Sequence, residues 1–329
     1  MIITQTPLRI GLLGGGTDLP GYYQEHGGRV LNCALDKYVY VIVKQRFDDD
    51  IYVNYSKKEI VSRVEDLEHE LVREAMQQTG VVKGVEITTL ADIPSAGSGL
   101  GSSSAVTVGL LHALSAYQGQ QVSAEELAEQ ACTIEIKRCG KPIGKQDQYI
   151  AALGGIRDIR FGPGDGVVAE ELGLSAAERR ALQHQIMLFY TGITRSANTI
   201  LAEQNANMES TRPQLDLLRD LAGFAAERLR RGDVDAIGPA MRESWEAKRK
   251  LASGVSNDQV DLAITRALDA GATGAKLTGA GGGGFLLVIC PMERQRAVRQ
   301  NLADMRELPV KLDRLGSRVV LNVLRDIWS

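Results

Sequence analysis

Apolar and polar positions alternate most clearly in residues 30–47, VLNCALDKYVYVIVKQRF, where Tyr38, Tyr40, Ile42 and their valine partners predict a strand. Residues 1–19 also begin as a strand and break at Gly14, Gly15 and Gly16. Residues 20–28, with Tyr22, Tyr23 and an HGG segment, read as a loop able to help a polar ligand. After three aspartates in a solvated turn, residues 51–55 read as the return strand of a hairpin. A helix over 64–78 and a strand over 85–89 follow. Val106, Leu110, Leu111 and Leu114 then put an apolar stripe on a helix over 103–117. Ser123 and Glu126 have capping-box spacing for a second helix through Cys132 and Glu135, with Leu127, Ala131 and Ile134 facing inward. Glycines and Pro142 end it, and Ile150, Ala151 and Leu153 predict another helix after a loop holding Asp147.

The second half opens after the turn-rich FGPGDG segment within 156–173. Ser175 and Glu178 form another possible capping box, and residues 186–190 have the apolar run of a buried strand. Helices are expected over 194–208, 214–231 and 234–251; the last carries Met241, Trp245 and Lys248 at helical spacing, with Trp245 read as packing. A helix over 258–270 precedes GAGGGG, whose six-residue apolar sequel reads as a buried strand. A helix over 293–305 and a strand over 317–323 complete a compact α/β second half, so the chain reads as α+β.

With 329 residues, 44% hydrophobic and 24% charged, the chain has the size and composition of a soluble globular protein with room for two domains. Its formal charge of −3 gives no whole-protein attraction to nucleic acid. Cys33, Cys132, Cys139 and Cys290 form no CxxC pair and the four histidines are scattered, which suits reduced thiols and neither zinc nor disulfides. The N-terminal residues have no basic leader, and no charge-free apolar run reaches about 18 residues, so a cytoplasmic protein without a membrane segment is expected.

Residues 93–106, IPSAGSGLGSSSAV, change this picture, because Gly97, Gly99 and Gly101 stand immediately before a helix. A backbone free of Cβ atoms can curl around an anion, and the helix start adds unpaired N–H groups and a positive dipole end. Ser102, Ser103 and Ser104 can cap the helix, bond a phosphate or reach a metal ion. A surface Gly/Ser turn has the same local pattern, and the Lys-Ser/Thr ending of a P-loop is missing. Arg9 and Asp18, which bracket the glycine bend, fit either a charged close approach or an edge-strand side chain and a turn cap. Glu135 fits a functional acid or a partner for Lys137 or Arg138, and Asp147 fits a helix cap or a catalytic carboxylate.

In order and separation, PLRIGLLGGGTD at 7–18, PSAGSGLGSSSA at 94–105 and KLTGAGGGG at 276–284 resemble three motifs of the GHMP small-molecule kinases. That family is named after galactokinase, homoserine kinase, mevalonate kinase and phosphomevalonate kinase. The resemblance covers nearly the whole chain. It implies an α+β GHMP kinase fold, with an N-terminal domain like ribosomal protein S5 domain 2 over 1–180 and a ferredoxin-like α/β sandwich over 181–329. ATP and Mg²⁺ would bind at their junction. RIGLLGGGTDLPGYY, GKQDQY and FYTGITRSA further resemble bacterial D-glycero-D-manno-heptose 7-phosphate kinases. This implies phosphorylation of the sugar C1 hydroxyl, giving heptose 1,7-bisphosphate and ADP for lipopolysaccharide, capsule or surface-layer glycans. Gly15 and Gly16 stand where galactokinases carry glutamate and histidine, which leaves more room near the sugar and argues against galactose. A fucokinase-like sugar 1-kinase is the enzymatic alternative. A catalytically inactive nucleotide-binding regulator is the other, against which the intact Arg9, Glu135 and Asp147 set argues.

The same resemblance implies roles for individual residues. Asp147 becomes general base or hydroxyl orienter, with Arg9 as its basic partner. Pro94, Ala96, Gly97, Ser98 and Gly99 open the ATP-phosphate loop, and Leu100, Gly101, Ser102, Ser103 and Ser104 carry it into the helix. Ser103 and Glu135 become the Mg²⁺ ligands, which hard oxygens suit. Asp18, supported by Thr17 and bordered by Gly15 and Gly16, recognises the sugar. A distal phosphate needs a basic pocket. Arg195 is favoured for it over Lys137, Arg138 and Lys141, which equally suit surface ion pairs. GAGGGG, represented by Gly281 and Gly282, approaches the reaction centre and excludes water. The expected partner is heptose 7-phosphate or a related small sugar, with neither nucleic acid nor membrane, and the oligomeric state stays open.

Overall fold

Two long strands, β1 (Ile2–Leu13) and β2 (Gly28–Gln45), pair antiparallel at the centre of the computed structural model, which describes residues 1–93, 97–194 and 197–323. The first sheet also takes β3 (Ile51–Asn54), β4 (Lys58–Val61), β5 (Val85–Ala91), β6 (Ile156–Phe161) and β7 (Val167–Glu171). A separate antiparallel sheet holds β8 (Ile186–Tyr190), β9 (Gly274–Leu277), β10 (Phe285–Ile289) and β11 (Arg306–Glu307), in the order β11-β8-β10-β9. Strand β12 (Arg318–Asn322) returns to the first sheet, whose order is β12-β1-β2-β5-β3-β4, with β6 on the first part of β2 and β7 outside it.

Several expectations change. Residues 51–55 do not return against β2: β3 pairs parallel with β5 and forms its hairpin with β4, while β5 takes the place beside β2. Alternation marks a strand without naming its neighbour. Residues 20–28 are not a loop but the helix Pro20–His26, begun by a proline whose φ is preset and ended at Gly27 with φ 68°. Tyr22 and Tyr23 are fully buried there, and their hydroxyls bond Asp216 and Asp165 rather than a ligand. The FGPGDG turn joins two strands, β6 and β7, that the sequence reading lacked. The last strand, expected in the second half's sandwich, pairs Ile2 with Asn322.

Helices Ser102–Tyr117, Ala124–Cys132 and Gln146–Leu153 contribute Leu110, Leu111, Leu127 and Ile150 to the main core, on the first sheet. A second core gathers Phe189, Trp245, Ile264 and Leu286 around the second sheet, so Trp245 is a packing residue. A small third cluster, with Tyr22, Leu215 and Leu251, joins the helix Pro20–His26 to the helix Arg212–Arg230 and to the chain beyond the helix Ile237–Lys248. Each large apolar side chain so buried contributes about 1.5–3 kcal/mol. No helix among the described residues is long and apolar enough to cross a membrane.

Candidate active site

The β1–β2 ladder loses register between Pro7 and Arg9, and there the Arg9 N–H donates instead to the Leu100 carbonyl at 2.9 Å. This break turns Arg9, only 5% exposed, toward a cleft of about 370 Å³. Its guanidinium grips Asp147 with two hydrogen bonds, Nε to Oδ1 at 2.6 Å and Nη2 to Oδ2 at 2.5 Å, while Nη1 donates to the Gly99 carbonyl at 2.6 Å. Asp147 lies in the first turn of Gln146–Leu153 but caps nothing: the N-cap is Lys145, with no side-chain cap bond.

The glycine loop meets this pair from the other side. Gly97, Gly99 and Gly101 have φ of 69°, 71° and 75°, and a Cβ on Gly99 would stand 2.7 Å from the Thr278 carbonyl oxygen. The loop ends at Gly101, the N-cap of the helix Ser102–Tyr117, whose start no side chain caps. First-turn N–H groups beside a curled glycine backbone fit a phosphate chain. Ser98 and Ser102 bond each other at 3.2 Å. Pro94 and Ala96 lie outside the described residues.

Glu135 is fully buried within the single π-helical turn Thr133–Arg138 that continues the preceding helix. Ser103 and Ser104 donate to its two carboxylate oxygens at 2.6 and 2.7 Å, and Gln148 Nε2 donates at 2.6 Å. Lys141 stands 3.6 Å from the same carboxylate, 3.1 Å from Glu70 and 3.3 Å from Ser103 Oγ. Among the described residues no group of three acidic, histidine or cysteine side chains could enclose a metal. One carboxylate and one hydroxyl beside an uncapped helix start that could accept a phosphate suit a hard cation that keeps waters, so the donor set fits Mg²⁺.

Asp18, 2% exposed, accepts from the Gly16 N–H at 3.1 Å and from Gln146 through its N–H and Nε2 at 3.2 and 2.9 Å. Burial, and then the charge of Asp147, push its pKa up. Gly144 must lack a side chain here, because its Cβ would stand 2.0 Å from Asp18 Oδ2. Gly15 and Gly16 line the cleft beside Asp18. Thr17 is buried behind them, with its hydroxyl 2.8 Å from the Gly14 carbonyl, and holds the bend.

Other sequence candidates fall elsewhere. Lys137 pairs with Asp165, and Arg138 reaches Gln78 and Glu74, both outside the cleft wall, whereas Lys141 lines it. Arg195 lies outside the described residues. Gly281 and Gly282 turn toward Val255, whose carbonyl accepts from the Gly282 N–H at 2.8 Å, and Gly279 and Ala280 face the cleft instead.

Sequence reasoning missed five polar wall residues, Glu70, Gln146, Asn198, Lys248 and Lys276. Lys248 donates to the Gly15 carbonyl at 2.9 Å and Lys276 to the Leu12 carbonyl at 3.0 Å. Burial pulls their pKa values down to about 8 and about 7; nearby Asp18 raises that of Lys248, and Lys248 and Arg9 further lower that of Lys276. A signal existed, since Lys276 sits between apolar neighbours ahead of the glycine run and Lys248 shares a helical face with Met241 and Trp245.

Two domain profiles match the chain, GHMP kinases N terminal domain over residues 54–155 and GHMP kinases C terminal over residues 225–307. A D-glycero-alpha-D-manno-heptose 7-phosphate kinase of Campylobacter jejuni is 30% identical over 302 residues, which are 87% of this chain and 88% of that protein. An L-fucokinase/L-fucose-1-P guanylyltransferase of Bacteroides fragilis is 30% identical over 336 residues, covering 90% of this chain and 35% of the relative. The crystal structure of a D-glycero-D-manno-heptose 1-phosphate kinase from Bacteroides thetaiotaomicron aligns with a TM-score of 0.82 and 25% identity, covering 98% of this chain and 100% of that one.

Proposed function

The chain belongs to the GHMP kinase family and is an ATP-dependent sugar kinase; from that premise we propose that it phosphorylates the C1 hydroxyl of D-glycero-D-manno-heptose 7-phosphate, giving heptose 1,7-bisphosphate and ADP. The observation that carries the proposal is the Arg9–Asp147 fork, tied through Gly99 to an uncapped helix start. The choice of acceptor is supported by relatives named for phosphorylated heptoses and by the room beside Asp18, where a Cβ on Gly15 would meet only Gln146, at 3.8 Å.

In this reading residues 1–180 supply the phosphate loop and the acceptor carboxylates, and residues 181–329 the glycine run that closes on them. Backbone N–H groups from Gly97 to Ser104 hold the triphosphate, and Ser103 and Glu135 hold Mg²⁺. When bound, Mg²⁺ neutralises charge on the phosphate oxygens. Asp18, braced by Gln146, grips sugar hydroxyls. Asp147 accepts the C1 hydroxyl's hydrogen bond with a lone pair that the Arg9 fork leaves open. As the C1 oxygen forms its bond to phosphorus and the bond to ADP breaks, the proton passes to Asp147. Gly279 and Ala280 narrow the cleft against water, the competing acceptor. The product would enter nucleotide-activated heptose synthesis for surface glycans in the cytoplasm.

Phosphorus NMR of reactions with ATP, Mg²⁺ and either heptose 7-phosphate, unphosphorylated heptose or L-fucose tests the proposal. The expected result is a new anomeric phosphate beside a retained 7-phosphate, with the highest kcat/KM for heptose 7-phosphate. Preference for L-fucose, or transfer to another oxygen, would overturn it.

A further inference from the structure

Among the described residues the cleft wall carries four cations, and they divide into two kinds. Arg9 is committed to Asp147, and Lys141 to Glu70 and Glu135. Lys248, the last residue of the helix Ile237–Lys248, and Lys276 in β9 have no carboxylate within 4.0 Å among the described residues. Both are half-buried because they form part of the wall. Each ammonium has three donors. Lys248 uses two, on the Gly15 carbonyl and Gln204 Oε1, and Lys276 uses one, on the Leu12 carbonyl. One donor and two donors are left over.

The surroundings of the pair give it a direction. Lys248 Nζ meets the Gly15 carbonyl and would stand 3.2 Å from a Cβ on Gly16, two residues from Asp18, while Lys276 meets the Leu12 carbonyl just ahead of the same bend. The lysines thus belong to the wall of the acceptor-binding bend rather than to the glycine loop that fits the triphosphate. Asp18 forms no ion pair with either lysine: its oxygens accept from Gly16 and Gln146, and its charge reaches Lys248 only from beyond contact. Two cations in one cleft wall, held partly out of water against backbone carbonyls and without an ion-paired carboxylate, are a poor arrangement for stability and a good one for receiving an anion.

We propose that Lys248 and Lys276 form the subsite for the phosphate monoester that the acceptor already carries, so that this wall of the cleft selects a sugar phosphate over a neutral sugar. This inference rests on the acceptor reading above and gives it a specific pair of residues, in place of Lys137 and Arg138. It also accounts for their lowered pKa values: without a bound anion the charged forms are disfavoured, and a dianionic ester restores them.

The test uses full-length protein with a non-hydrolysable ATP analogue and Mg²⁺ filling the nucleotide site. Inorganic phosphate, heptose 7-phosphate and unphosphorylated heptose are titrated by calorimetry into wild type, Lys248→Met and Lys276→Met, with Lys→Arg variants as conservative rescues and thermal melts as folding controls. Each Met variant is expected to weaken phosphate and heptose 7-phosphate by about 10- to 100-fold, as for loss of charge-assisted bonds. Unphosphorylated heptose should lose much less affinity than the ester in every folded variant. At pH 8 the wild type should take up protons on binding the ester, read from buffers of different ionisation enthalpy, and Lys276→Met should take up fewer. Equal losses for ester and neutral sugar, or unchanged phosphate binding in both Met variants, would overturn the subsite. If phosphate binding depends on the lysines but heptose 7-phosphate is not phosphorylated, the subsite stands and the choice of sugar falls.

Discussion

Arg9 joins three parts of the site through one side chain and its own backbone: the register break in β1, the Gly99 carbonyl of the phosphate loop, and both oxygens of Asp147. The fork fixes the carboxylate's direction as well as its charge partner, which is what an orienting base requires. Asp147→Asn keeps the shape but turns one acceptor into a donor facing the guanidinium. Its kcat is expected to fall roughly 10²- to 10⁴-fold, with the ATP dissociation constant changed by no more than about twofold in calorimetry. Near-normal turnover would remove Asp147 from the chemistry. In the sequence each of Arg9, Asp18, Glu135 and Asp147 has a local reading as cap or surface pair, and only their convergence separates the readings. The lysines were harder to see. Lys248 and Lys276 lie far from the N-terminal glycines in sequence, and their importance comes from which carbonyls they meet and which acids they do not.

Local signals carried the elements well where the physics is local. Both capping boxes form, Ser123 with Glu126 and Ser175 with Glu178, because each is closed within one turn. Pairing is not local, and that is where the expectations for residues 51–55 and for the last strand failed. The π-helical turn at Thr133–Arg138 was equally invisible, although the acid that meets Ser103 and Ser104 sits in it. The two glycine runs interlock: a Cβ on Gly279 would stand 2.8 Å from Gly99 Cα, and one on Gly99 would meet Thr278. Gly99→Ala therefore combines a positive φ with a backbone clash, a strain of about 1–3 kcal/mol before the clash is counted. Nucleotide affinity is expected to drop at least about tenfold, since more than about 1.4 kcal/mol falls on the phosphate loop. Gly80, with φ 72° and nothing within 4 Å of its Cβ, supplies the control. Gly80→Ala should lower the melting temperature and leave nucleotide binding unchanged, whereas equal affinity loss in both variants would contradict a specific role for the interlock.

At the scale of the molecule, the cleft lies where the second sheet and its helices meet the first sheet. Thr278 reaches the Ser98 carbonyl at 3.3 Å, Lys276 the Leu12 carbonyl and Lys248 the Gly15 carbonyl, so three side chains from the later part of the chain hold the glycine-rich segments of the earlier part. Strand β12 then closes the chain onto β1, the strand that carries Arg9. The domain class and the three glycine motifs were readable because each needs only a short pattern, while the wall that the second half contributes exists only after folding. A crystal structure with a non-hydrolysable ATP analogue, Mg²⁺ and heptose 7-phosphate tests the assembled site most directly. The terminal phosphate should lie at the start of the helix Ser102–Tyr117, with the C1 oxygen within hydrogen-bond reach of Asp147. A triphosphate bound away from that helix start, or an acceptor oxygen remote from Asp147, would contradict the account.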